Sequence, residues 1–123
     1  MKKKKELSKV WKTYLKLYTK GNKLHEKGYK LRTKGYKIFV KGRHHFYRGS
    51  IYTEGEKFQA EGNKLCAEGD KINADGDILY AEADLLFHKA IIKHRGKKTI
   101  VEWEDWNKCK LSTGEVFGTK GIQ

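Results

Sequence analysis

The apolar and small residues of this chain fall in a seven-residue pattern. Glycine occupies one column at Gly21, Gly28, Gly35, Gly42 and Gly49, then, after a spacing of six, at Gly55, Gly62, Gly69 and Gly76; Ala83 and Ala90 continue it. Three residues after most of these stand Leu24, Leu31, Ile38, Phe58, Leu65, Ile72, Leu79 and Leu86, with His45 and Tyr52 as interruptions. This is a heptad with glycine at a and leucine or isoleucine at d. Residues 7–20 obey the same register before the glycines begin: Leu7 and Tyr14 at a, Val10 and Leu17 at d, Trp11 and Tyr18 at e. Positions d, a and e lie on one side of a helix, so the pattern predicts a helix over 6–48 with a continuous apolar stripe.

Glycine inside a helix costs up to about 1 kcal/mol relative to alanine, so the column needs a compensating gain. Without side chains at a, two helix backbones can approach closely, and van der Waals contact along the seam replaces the missing knobs. The competing picture is a string of short, loose helices, but randomly placed breakers would not fall on one face. The six-residue spacing from Gly49 to Gly55 would rotate the seam by about 100° in an unbroken helix. A bend at 48–53 removes the mismatch. Ser50 and Thr53 offer N-caps there, and Thr53-Glu54-Gly55-Glu56 matches a capping box. A second helix then runs over 54–94, with Gly96 as its stop. Two arms of similar length predict an antiparallel hairpin over 1–96; a continuous rod that dimerises is the competing architecture.

The tail, 97–123, changes character. Thr99-Ile100-Val101-Glu102-Trp103 is β-branched and aromatic, Lys108-Cys109-Lys110-Leu111 alternates, and Ser112-Thr113-Gly114 is a turn before Glu115-Val116-Phe117-Gly118. A small β-meander is predicted, against a short helix over 100–111 that Thr99-Ile100-Val101-Glu102 could cap. So small a sheet must pack on something, and Leu85, Leu86, Phe87, Ile91 and Ile92 of the second helix are the expected surface. Trp103 and Trp106 would either close that core or stand exposed as partner-binding anchors. The predicted fold is mostly α: a long antiparallel helical hairpin, coiled-coil-like, with a small C-terminal β-meander.

Charge changes this picture most. The 123 residues carry 28 basic and 15 acidic side chains, a net charge of +13, with 37% hydrophobic residues and no proline. Residues 1–48 hold 17 basic and 2 acidic residues, whereas 54–84 hold 3 basic and 9 acidic. A basic arm laid on an acidic arm favours the hairpin, although the same asymmetry would serve association between chains in a homodimer. No uncharged run approaches the ~18 residues of a membrane span. The lysines at Lys9, Lys12 and Lys16 break up any signal-peptide apolar region after the opening Lys2–Lys5. Two cysteines without a CxxC, Cys66 and Cys109, suit reduced thiols in a cytoplasmic protein, with a single disulfide between them as the alternative.

The sharpest chemical feature is a stripe of cations on the first helix. Position c holds Lys9, Lys16, Lys23, Lys30, Lys37 and His44; position g holds Thr13, Lys20, Lys27, Lys34, Lys41 and Arg48. These neighbouring columns face away from the seam over roughly 60 Å of helix. On the second helix the same columns are mixed: Lys57, Lys64 and Lys71 at c, Glu61, Glu68, Asp75 and Glu82 at g, each lysine four residues from an acid. An unbalanced lysine face predicts a sequence-independent, salt-sensitive contact with a nucleic-acid backbone through Lys9, Lys16, Lys20, Lys23, Lys27, Lys30, Lys34, Lys37, Lys41 and Arg48. Tyr29, Tyr36, Phe46 and Tyr47 add surface for base stacking. The alternative is a modulator or inhibitor that docks on an acidic or DNA-binding surface of a partner protein.

Only four arginines occur, and zinc-finger spacing, an RNP sequence and a helix-turn-helix are all lacking, so base readout is not expected. No catalytic constellation competes, and a non-enzymatic protein without cofactor or metal is expected. His44 and His45 are adjacent, and His88 and His94 are six apart, off the spacing of a helical metal pair. Asp70, Asp75 and Asp77 lack the order of a calcium loop. The residues name no family. The 24 lysines against 4 arginines suit an AT-rich genome, and small basic proteins of this kind are common in bacteriophages.

Overall fold

The computed structural model describes residues 2–47 and 52–123, with side chains for 5–43 and 55–123. The elements are α1 (Lys2–Tyr47), α2 (Tyr52–Arg95), β1 (Val101–Asp105), β2 (Lys108–Leu111), β3 (Val116–Gly118) and β4 (Gly121–Ile122). The fold is mostly α: α1 and α2 pack antiparallel, and the strands form an antiparallel meander in the order β1-β2-β3-β4. Both helices run unbroken through their glycines, so the string of short helices does not form. α1 begins at Lys2 rather than near Glu6, because lysine loses little rotamer freedom in a helix. α2 begins at Tyr52, which places Thr53, an expected cap, inside the helix instead of ahead of it. Residues 48–51 of the expected bend, with Gly49 and the Ser50 cap, lie outside the described residues, as do the side chains of Thr53 and Glu54.

By its contacts the chain falls into two compact units, 22–77 and 1–21 with 78–123, each built on segments of both helices. In the 22–77 unit the described glycines of column a are buried on both helices: Gly28, Gly35 and Gly42 on α1, and Gly55, Gly62, Gly69 and Gly76 on α2. The Gly35–Gly62 layer shows why. A Cβ on Gly35 would lie 2.6 Å from the Gly62 carbonyl oxygen and 2.9 Å from the Cys66 backbone nitrogen. A Cβ on Gly62 would lie 2.5 Å from the Gly35 oxygen. Ordinary contact begins at 3.4 Å, so only a hydrogen fits. Gly28 with Gly69 and Gly42 with Gly55 repeat the layer one heptad away on either side. Backbone therefore meets backbone where a coiled coil would insert knobs. Leu24, Leu31, Ile38, Phe58, Leu65 and Ile72 flank the contact, half-buried.

Polar contacts fix how the two segments are rotated. Asp77 meets His25 at 2.8 Å and Asp70 meets Arg32 at 3.1 Å across the seam. The Cys66 thiol donates to the Arg32 carbonyl at 3.6 Å. Both carboxylates are largely exposed, so each pair contributes about 1 kcal/mol at most and orients more than it stabilises. The aspartates that hinted at a calcium loop are thus helical residues, two of them engaged with α1.

The unit of 1–21 and 78–123 fills the same a column with Leu7 and Tyr14 on α1 and Ala83 and Ala90 on α2. Leu7, Trp11, Tyr14, Phe87, Ile91, Cys109, Leu111 and Phe117 are each under 2% exposed or nearly so. The Trp11 ring stacks on Tyr14 with centroids 4.9 Å apart and meets Phe87 and Phe117, both at 5.2 Å. Its buried Nε1–H donates to the Gly118 carbonyl at 2.8 Å, and the Tyr14 hydroxyl donates to the Trp106 carbonyl at 2.6 Å. β2 alternates as its sequence predicts, with Cys109 and Leu111 inward and Lys108 and Lys110 outward.

The sheet rests on both helices, not on α2 alone. Of the surface expected on α2, Phe87 and Ile91 are buried and Leu86 is half-buried, while Leu85 and Ile92 stay 57% and 50% exposed. α1 supplies the rest, because positions a and e carry Leu7, Trp11 and Tyr14 where the next heptads carry glycine and polar residues. The short helix over 100–111 is replaced by β1 and β2, paired Val101 with Leu111 and Trp103 with Cys109. At the end of α2, Gly96 takes φ +98° and its N–H donates to the Ile92 carbonyl at 3.0 Å. The Thr99 hydroxyl caps the Arg95 carbonyl at 2.9 Å. Arg95 then forms a two-pronged pair with Glu115 at 2.6 and 2.8 Å, tying the β2–β3 loop to the helix end. That hydrogen bond raises the Arg95 pKa further.

Burial also predicts an alkaline limit to stability. It pushes the Cys109 thiol from 9.0 up to about 12. It raises the Tyr14 phenol above its ordinary 10.0, with Asp84 adding to the effect. Below pH 9.0 both groups hold their protons whether the chain is folded or not, and their contribution is fully present. Above that the unfolded chain releases protons that the folded chain retains, so stability falls with rising pH. Thermal unfolding followed by circular dichroism should show Tm declining from pH 9 towards pH 12. Cys109→Ala should lower Tm at neutral pH but flatten that decline; an unchanged slope would remove Cys109 as its cause.

Candidate nucleic-acid interface

The glycine contact determines what α1 shows to solvent. With position a against α2, columns c and g stand about 200° and 240° around the helix, on the far side. In the 22–77 unit, Lys23, Lys30 and Lys37 at c and Lys27, Lys34 and Lys41 at g are all exposed. From Lys23 to Lys41 they cover about 27 Å of one helical face. Lys30 pairs with Glu26 at 3.3 Å, and the Lys41 ammonium lies 5.0 Å from the Phe58 ring centre. Among the described residues, Lys23, Lys27, Lys34 and Lys37 are in no ion pair.

The other predicted members divide. Lys9, Lys16 and Lys20 are exposed on the α1 segment of the other unit, where Thr13 interrupts the g column. Arg48 lies outside the described residues, as do the side chains of His44, Phe46 and Tyr47. Tyr29 and Tyr36 are 70% and 63% exposed on the flank of the stripe, and Arg43, one heptad further along the same b column, is exposed too. Arg43 was missed by considering columns c and g alone; the same seven-residue count applied to b finds it.

Trp103 and Trp106 belong to the other unit, in its aromatic cluster. Trp106 stacks on Tyr18 at 5.0 Å with ring planes 6° apart. The Trp103 ring lies 5.5 Å from Phe87 and 5.6 Å from Tyr14, and 38% of the residue remains exposed. Both belong to the packing of the sheet on the helices. His94 is likewise engaged, 3.1 Å from Glu6.

On α2 the c and g columns of the 22–77 unit are exposed and of mixed sign, with Lys57, Lys64 and Lys71 beside Glu61, Glu68 and Asp75. The expected pairs four residues apart are not closed among the described residues. The α2 acids that pair in this unit, Asp70 and Asp77, do so with α1. Within the unit, every described residue of the two lysine columns of α1 is a cation, where the same two columns of α2 mix signs.

No helix among the described residues is long and apolar enough to cross a membrane. No protein-family model matches this chain, and no curated protein or solved structure is significantly similar to it.

Proposed function

We propose that this chain is a non-enzymatic binding protein that holds the phosphate backbone of nucleic acid on the lysine face of α1, without reading sequence. The observation that carries this reading is the contrast between the helices. Six exposed lysines fill columns c and g of α1 in the 22–77 unit, while the same columns of α2 alternate in sign. A purely solvated face gains nothing from leaving like charges three and four residues apart, which repel by a few tenths of a kcal/mol per pair. A phosphate backbone removes that repulsion and releases condensed counterions. Lysine suits the task because its ammonium is a point charge without the geometric demand of a guanidinium. Exposed Tyr29 and Tyr36 give unpaired bases a stacking surface, so single strands should bind at least as well as duplex.

Fluorescence anisotropy with labelled duplexes and single strands of unrelated sequence tests this. At low salt, about 50 mM, all should bind with affinities within a few-fold of each other. No binding at low salt would overturn the proposal and leave an acidic protein surface as the partner class. A preference above tenfold for one sequence would contradict backbone-only contact.

A further inference from the structure

A second heptad lies on the outer face of α2, and we infer that it is where a second copy of this chain docks. In the 22–77 unit, column c of α2 is Lys57, Lys64 and Lys71; within the other unit the same column becomes Ile78, Leu85 and Ile92. These three are 56%, 57% and 50% exposed, although each is as apolar as the residues of the core. Ala81 and His88, at position f, stand between them, so the order is apolar, small, apolar, imidazole, apolar at spacings of three and four. That is the spacing of a helix–helix seam. Columns c and f stand about 200° and 140° around the helix from the buried a column, so this seam and the core seam occupy opposite faces.

Charge selects the occupant and its direction. Beside the seam, at position g, stand Glu82 and Lys89, one heptad apart, exposed and opposite in sign. Neither is in an ion pair among the described residues. When two copies of this segment lie antiparallel about a two-fold axis through Leu85, Leu85 meets Leu85 and Ile78 meets Ile92 of the second copy. Like positions g then face each other, which sets Glu82 against Lys89 in both directions and the small Ala81 opposite His88. Laid parallel, position g of one copy would face position b of the other, which sets Glu82 against Asp77 and Lys89 against Asp84, one like-charge pair for every unlike one. On the other flank the antiparallel pairing brings Asp84 near its own counterpart, one like-charge contact against two Glu82–Lys89 contacts, so charge still favours the antiparallel, isologous two-fold. The seam is short, about 21 Å from Ile78 to Ile92, so the dimer is weak and concentration-dependent.

The test needs no nucleic acid and is independent of the function proposed for α1. Sedimentation equilibrium over a concentration series should show the 14.3 kDa chain mass doubling. Leu85→Glu, at an exposed position, should leave the helical circular dichroism intact and shift the midpoint at least about tenfold to higher concentration. Lys89→Glu should weaken association, and Glu82→Lys with Lys89→Glu together should restore it. Leu85→Cys, on a Cys66→Ala background, should cross-link between chains under mild oxidation, whereas Ile92→Cys alone should not. A mass that stays monomeric at every concentration overturns the proposal. So does a dimer that Leu85→Glu leaves intact, a charge swap that fails to rescue, or equal cross-linking at both cysteines.

Discussion

Replacing Gly35 by alanine should destabilise the chain even though alanine is the better helix former. The propensity gain is about 1 kcal/mol. Against it, the new methyl group would stand 2.6 Å from the Gly62 carbonyl oxygen and 2.9 Å from the Cys66 backbone nitrogen. Both obstacles are helix backbone, so no rotamer change relieves them and the helices must separate locally. Overpacking of this kind costs about 1–3 kcal/mol where neighbouring side chains can adjust, and the upper part of that range applies here. A net loss of about 1–2 kcal/mol follows, or a fall in Tm of several degrees. The three layers are about 10 Å apart along the helix, so their effects should add. Gly28→Ala, Gly35→Ala and Gly42→Ala combined should cost about 3–6 kcal/mol by that addition, much of the stability of a domain this size. Lys34→Ala, beside Gly35 but exposed, should change stability by no more than about 0.5 kcal/mol. Thermal melts of this set separate the two pictures. If alanine at Gly35 raises Tm, propensity outweighs contact and the backbones are not touching.

Reversing four charges on α1 should have the largest effect on binding. Lys23, Lys27, Lys34 and Lys37 are exposed and in no ion pair among the described residues, so their replacement by glutamate breaks no contact that holds the helices. Helicity and Tm should hold or rise slightly, since the like-charge repulsion along the face is relieved. Affinity for duplex at low salt should fall by about three orders of magnitude, because the counterion-release gain at those four positions is lost and new repulsion is added. The same reversal at Lys57, Lys64 and Lys71 of α2 should cost far less, which controls for net charge. Equal losses from the two sets would mean that the overall charge, rather than the α1 face, drives association.

Register was legible because it is arithmetic. A column of glycines seven residues apart fixes which face is buried, and Gly35 and Gly62 meet as that column requires. The lysine face followed from the same count. Gly96 and the Ser112-Thr113-Gly114 turn were legible from backbone chemistry, and both Gly96 and Gly114 adopt positive φ. The contribution of α1 to the sheet's core was not foreseen. Leu7, Trp11 and Tyr14 were visible as a stripe, but nothing local says that their partners lie about a hundred residues on, at Gly118 and Trp106. β4 escaped because two residues, Gly121 and Ile122, carry no pattern. The pairs expected along α2 also failed to form. Spacing shows which charges can meet; among the described residues the α2 acids that pair in the 22–77 unit are Asp70 and Asp77, at position b, with Arg32 and His25.

The central claim is that close-packed glycines turn a row of ammonium groups outward to face a phosphate backbone. Its most direct test is the affinity for a duplex of arbitrary sequence measured across a salt series. If four to six lysines of the 22–77 unit engage phosphates, the logarithm of the association constant should fall linearly with the logarithm of salt concentration, with a slope of about −4 to −5. The four-glutamate variant should lose that dependence. A slope near zero for the unaltered chain, or the same slope in both proteins, would contradict the claim.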